Sequence, residues 1–409
     1  MTRGFDASAH YGRRIADVHD DGITVKDPPG VAGGHPAASG FPVPPGLSEF
    51  PPSPSRSKRS LPSPKAGRAP ALPAVRGPIT SLLFERLARP PHRFGLLSLP
   101  LLSFPARFAG PVLVDEDVQL ALFVCYELYY RGFDGVDDRW EWNPSLLEVR
   151  EILEARFEEG LARAVPYPPA SRPEQTCQAL AELVAAAVDG PDLAGFLQRQ
   201  ADLAQFREFV AHRSIHHLKE ADPYTPAIPR LSGRTKAAPA EIQAGAYGGG
   251  AERMRSELFR TTMRELDMDD SYGAYLDRVP AITLAVSNTL SLFELHRRHL
   301  GALLGHLAAF EMTSSVPDHL HSLGLRRLDG DEAASRFHDE HVRADAVHEQ
   351  TAAHDMCGEF ATLHPSRAGD VLYGAACALT LDRLFAEHVM SHWRRGTSSL
   401  REAGAATRS

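Results

Sequence analysis

Read for spacing alone, the chain from about residue 79 onward is a succession of apolar stripes at helical period, with no run of alternating β-branched residues. The pattern predicts an all-α protein, a single helical domain. Asp115 stands as the N-cap of a helix through Tyr130, which Gly132 stops. Asn143 and Pro144 supply a cap and a first-position proline for the next helix, whose apolar face runs through Val149, Leu153, Phe157 and Leu161. Further helices are expected at about 173–188, 191–212, 239–266 with an interruption at Gly248, Gly249 and Gly250, and 271–299 with a kink near Pro280. The stripe Leu300, Leu304 and Leu307 marks a helix over 300–315, residues 337–355 form another, and a last one spans 367–393 on Val371, Ala375, Ala378, Leu379, Leu381 and Phe385.

Ahead of this pattern, residues 1–76 are rich in Pro, Gly, Ser and Ala and read as a disordered tail, because such composition cannot offset the entropy of ordering. The helical domain is expected over 77–400, with 401–409 frayed. A basic cluster in the tail, Arg56, Lys58, Arg59, Lys65 and Arg68, reads as a solvated charge run. Net charge is −8 with a pI of about 6.2, which leaves no electrostatic footprint for nucleic acid or an anionic membrane. No apolar run reaches membrane-spanning length, and the first residues hold no apolar core of a signal peptide. Cys125, Cys177, Cys357 and Cys377 form no CxxC pair and read as buried free thiols of a reducing compartment, so a cytoplasmic protein is expected.

Two helices carry residues that the packing pattern does not explain. In FHDEHVRADAVHEQTAAHD, at about 100° per residue, His341, Asp345 and His348 fall within about 60° of one another and share a face. Taken alone, that face is equally well a solvated one. Glu311, however, is the next member in phase of the stripe Leu300, Leu304 and Leu307, a carboxylate where a core residue is expected. Burying it uncompensated costs several kcal/mol, so it must be neutralised, paired with a cation or bound to a metal. A buried Glu on one helix and a His/Asp/His face on the next is how metal sites are built in bundle cores, and mixed imidazole and carboxylate ligands suit Fe, Mn or Zn. His306 lies off the stripe and reads as surface, Glu127 as a partly exposed residue at a helix end, and His212, His216 and His217 as solvated or hydrogen-bonding residues. A ferritin-type carboxylate bundle is disfavoured, because no Glu is followed three positions later by His.

The segments CYELYYRGFDGVDDRWEW, HRSIHHLKEADP, AFEMTSS and FHDEHVRADAVHEQ resemble the haem-oxygenase-like di-metal oxidases, the iron-containing redox enzymes, over most of residues 110–400. The resemblance implies a haem-oxygenase-like helical bundle that holds no haem, uses iron to activate dioxygen, oxidises a small amine or carboxylate substrate, and forms a homodimer. Carried over by position, it implies Glu220, Glu311, His341, Asp345 and His348 as iron ligands. Two places depart from the family pattern. Gly245 and Ala246 stand where an acidic pair is usual, and Arg255 stands where a histidine is usual. The missing carboxylate is the one both metals would share, so a set of Glu311, His341 and Asp345 is expected to hold one ion, with Arg255 placing positive charge where a second cation would sit. Two functional expectations follow: a non-haem iron oxidase with one or two ions, or a catalytically impaired relative that keeps the bundle to bind a partner or act as a scaffold.

Overall fold

The structure, a computed structural model, describes residues 69–95, 111–168, 172–187 and 190–402, with the side chains of 344–347 outside the described set. Its elements are α1 (Pro78–Leu87), α2 (Glu116–Tyr130), α3 (Pro144–Ala164), α4 (Thr176–Ala186), α5 (Leu193–Arg199), α6 (Leu203–His217) and α7 (Gly233–Tyr247). They continue with α8 (Arg255–Glu265), α9 (Ala281–Leu295), α10 (Leu300–Thr313), α11 (Ser315–Arg327), α12 (Glu332–Gln350), a π-helical run (Thr351–Gly358), α13 (Glu359–Leu363) and α14 (Ala368–Arg394). Among the described residues there is no strand, only an isolated bridge between Ala71 and Asp134, so the all-α expectation holds. Among the described residues no helix is long and apolar enough to cross a membrane.

Local signals worked where capping chemistry was explicit. The Asp115 carboxylate accepts from the amides of Asp117 and Val118, both at 3.0 Å, and Asn143 caps Pro144–Ala164 in the same way. Val149, Leu153, Phe157 and Leu161 are all buried. Where helices were predicted long, the chain divides them. Asp202 and Gln205 form a reciprocal capping box that starts α6 afresh, Gly248 with φ +66° closes α7, and Pro280 caps α9 instead of kinking a longer helix. Proline cannot donate to the preceding turn, so a helix that begins just after it loses nothing.

The predicted tail ends earlier than residue 76. Residues 1–68 and 403–409 lie outside the described residues, but Arg76 is buried, with Nη1 on the Glu116 carboxylate and Nη2 on the Leu276 carbonyl, both at 2.6 Å. A guanidinium with two oxygen partners fixes a stretch that its proline-rich surroundings alone would leave unordered. The thiols are free as expected, three of them buried and Cys177 half-buried; burial pushes the Cys125 thiol up to about 12, so it holds its proton at neutral pH.

Two packing arrangements position the site. α9, apolar nearly all round, lies against α2 in the centre. α10 lies against α14 at close range: a Cβ on Gly305 would sit 1.8 Å from the Val371 carbonyl oxygen, and one on Gly374 would sit 1.9 Å from that of Ala302. Both obstacles are backbone, so they cannot rotate away. Gly305→Ala is therefore expected to push the helices apart and lower stability by about 1–3 kcal/mol, measured as a lower urea midpoint; an unchanged midpoint would show that this crossing has slack.

Candidate metal centre

Glu220, just beyond the end of α6, is 4% exposed and fully engaged. Its Oε1 accepts from Arg255 Nη1 at 3.0 Å and from His341 Nε2 at 2.9 Å, and its Oε2 accepts from His217 Nδ1 at 2.8 Å. Arg255 opens α8 and His341 lies midway along α12, so three helices meet on one carboxylate. His341 Nδ1 donates to the Phe337 carbonyl at 2.9 Å, one turn back along α12. Burial and the Arg255 charge oppose protonation of His341, but Glu220 and Asp318 outweigh them and raise it to about 9. Burial likewise opposes the charged form of Glu220, and His341 and His217 hold it well below the usual carboxylate range.

Charge decides what this cluster can hold. Arg255 and protonated His341 already offset the Glu220 carboxylate, and the Arg255 guanidinium occupies an oxygen that a metal would need. Glu220 and His341 do not fit a cation as they stand.

The second pair is different. Glu311 on α10 and His348 on α12 are both buried, as the helical phase of Glu311 predicted, with Glu311 Oε2 and His348 Nδ1 3.3 Å apart. Neither atom makes a hydrogen bond. Two buried ligand atoms left unsatisfied at this spacing cost free energy, and a cation between or beside them removes that cost. Carboxylate and imidazole are suitable donors for iron. Asp345 lies on the backbone of α12, but its side chain is outside the described residues. Downstream, α12 passes into the π-helical run Thr351–Gly358, a feature often found beside functional sites.

The ligands therefore group differently from the expectation. Glu311 stands with His348, and His341 stands with Glu220, whereas Glu311, His341 and Asp345 were expected to form one set. Spacing along a helix gives a shared face but not which neighbouring helix each residue on that face meets. Gly245 is explained by contact: a Cβ there would come 2.9 Å from His348 Cε1, so the imidazole takes space that a side chain would need.

Two other expectations are corrected and a third is narrowed to one of its alternatives. His306 is buried and hydrogen-bonds the Tyr224 hydroxyl at 3.1 Å through Nδ1. Glu127 is buried, accepting from Lys219 Nζ at 2.9 Å and the Tyr272 hydroxyl at 2.7 Å. His212 is buried between Thr283 and Ser399, so it is hydrogen-bonded but not solvated. In each case the partner lies far along the chain. One residue passed over is Glu294 in the last turn of α9, fully buried and accepting from the Tyr130 hydroxyl. The signal was available: a carboxylate in a helix apolar on every side, as for Glu311.

The model of the iron-containing redox enzymes matches residues 207–383, which hold Glu220, Arg255, Glu311, His341, Asp345 and His348. Over that stretch the chain is similar to the iron-containing redox enzymes. No curated protein matches the chain.

Proposed function

We propose that the protein is a non-haem iron oxidase holding one iron on Glu311 and His348, with Asp345 joining from the same face of α12, and acting with dioxygen on a small amine or carboxylate. The observation that carries this reading is the pair of buried ligand atoms, Glu311 Oε2 and His348 Nδ1, that no hydrogen bond satisfies. Bound iron would supply the activation of dioxygen. The chain's own groups do the rest. Arg255 carries the positive charge that a second metal would have contributed, keeping Glu220 ionised, while His341 holds a proton at Nε2 against Glu220 within reach of the site's helix. Gly245 is exposed and a Cβ on it would come 2.9 Å from His348 Cε1, so the buried imidazole lies directly beneath the surface at that glycine. The free thiols suit a cytoplasmic setting, and a homodimer goes with the family resemblance.

The Arg255–Glu220–His341 closure favours a second reading, a family member whose metal site is impaired and whose bundle serves a partner. Anaerobic titration with ferrous iron separates the two. The wild type is expected to bind one more iron per chain than the double variant Glu311→Gln, His348→Gln, and only the loaded wild type to consume oxygen. A wild type that binds no more iron than the double variant would leave the scaffold reading standing.

A further inference from the structure

On α11, Asp318 and His321 are one turn apart and face His338 of α12, which precedes His348 by nearly three turns of that helix. One nitrogen from each imidazole and one carboxylate oxygen lie within 4.8 Å of one another. His338 Nδ1 is 2.6 Å from Asp318 Oδ1, and His321 Nδ1 is 3.7 Å from the same oxygen. Ligands about 2.1 Å from a shared tetrahedral ion stand about 3.4 Å apart, so His321 is near that spacing already and His338 has less than an ångström to yield.

The site is enclosed, and each imidazole keeps one nitrogen without a hydrogen-bond partner. The His338 side chain is 2% exposed and that of His321 10% exposed, yet His338 Nε2 and His321 Nδ1 make no hydrogen bond. The His321 ring is walled by Phe209 at 4.7 Å and the His338 ring by Phe337 at 5.1 Å. The interface is also held rigidly beside the cluster: Asp339 accepts from the Ser322 hydroxyl at 2.6 Å and from Arg326 at 2.7 Å, pinning α11 to α12. A purely structural His338–Asp318 hydrogen bond would tie the helices together equally well, but it leaves His321 and its orphaned nitrogen without a purpose.

We propose that Asp318, His321 and His338 form a separate site for a divalent first-row transition metal, a two-histidine, one-carboxylate set with open positions. It does not depend on iron at Glu311 and His348. Cobalt(II) is the probe, because its visible absorption reports ligation directly. The purified full chain is titrated with Co²⁺, alongside the double variant Glu311→Gln, His348→Gln, which leaves only the proposed site. Expected is one Co²⁺ retained by that double variant, with an absorption band that His321→Ala, or the isosteric Asp318→Asn, weakens through a loss of affinity of more than about a hundredfold. Parallel titrations with Zn²⁺ and Fe²⁺ then rank the metals. Circular dichroism shows whether each variant is folded, and a metal-dependent rise in melting temperature in the otherwise unaltered Glu311→Gln, His348→Gln background is expected as an independent readout. Absence of Co²⁺ uptake by that background, or uptake that persists unchanged in folded His321→Ala and Asp318→Asn, would overturn the proposal.

Discussion

Combining Arg255→His with Ala246→Glu is expected to raise ferrous iron stoichiometry by one per chain over the wild type. The argument rests on what Arg255 does to Glu220. Its Nη1, 3.0 Å from Oε1, supplies the countercharge that keeps a carboxylate ionised at 4% exposure. A histidine at 255 gives up that fixed charge and offers a neutral nitrogen, and a glutamate at 246, on the buried side of α7, returns an oxygen donor. Both changes turn a self-neutralised cluster into one that needs a cation. Without iron the variant should therefore be less stable than the wild type, by an amount approaching the about 3–5 kcal/mol seen when one partner of a buried ion pair is removed, lessened because His341 stays beside Glu220. Adding ferrous iron should restore the melting temperature of the variant more than that of the wild type. A variant that is destabilised but gains no iron would mean that the second cation, if the family fold retains one, is not built on Glu220 and His341.

The other large effect is a pH dependence carried by Glu294. Burial raises this carboxyl to about 8, with the Tyr130 hydroxyl, Lys219 and Arg230 pulling the other way. Its folded value lies above the ordinary carboxylate value of about 4.3, so the folded chain binds the extra proton. The stabilisation is complete below about pH 4.3, shrinks as the unfolded chain ionises above it, and is gone once pH passes about 8. With about 1.4 kcal/mol per pH unit, the swing for this one group is roughly 3–5 kcal/mol. Glu294→Gln, which keeps the shape and still accepts from Tyr130, should remove that slope, so its denaturation free energy should exceed the wild type's at pH 8 and approach it near pH 5. Parallel pH profiles for the two proteins would show that Glu294 is ionised in the fold throughout.

Much of the site could be read from residue order because it rests on helical phase. Glu311 interrupts an apolar stripe, and burial of that stripe carries the carboxylate inward whatever the rest of the chain does. His341 and His348 share a face for the same reason, and both are buried. What phase cannot give is the identity of the opposing helix. Glu220 meets His341 across the bundle, and Lys219 meets Glu127 likewise, through tertiary packing that no local spacing encodes. Capping was legible at Asp115 and Asn143, where side chain and amide are neighbours in sequence. At Pro280 the same local reasoning gave a kink where the chain makes a helix start, since a proline is compatible with both and only the turn before it decides. Arg255 was legible as a charge in the wrong place, and its contact with Glu220 is the physical form of that observation.

Gly245 also couples the surface of α7 to the ring of His348. A Cβ built at 245 would come 2.9 Å from His348 Cε1, so a residue larger than glycine there requires the imidazole to shift. Because Gly245 is exposed while His348 is buried against Glu311, a change of one surface residue would reach the buried carboxylate–imidazole pair directly, without passing through the rest of the core.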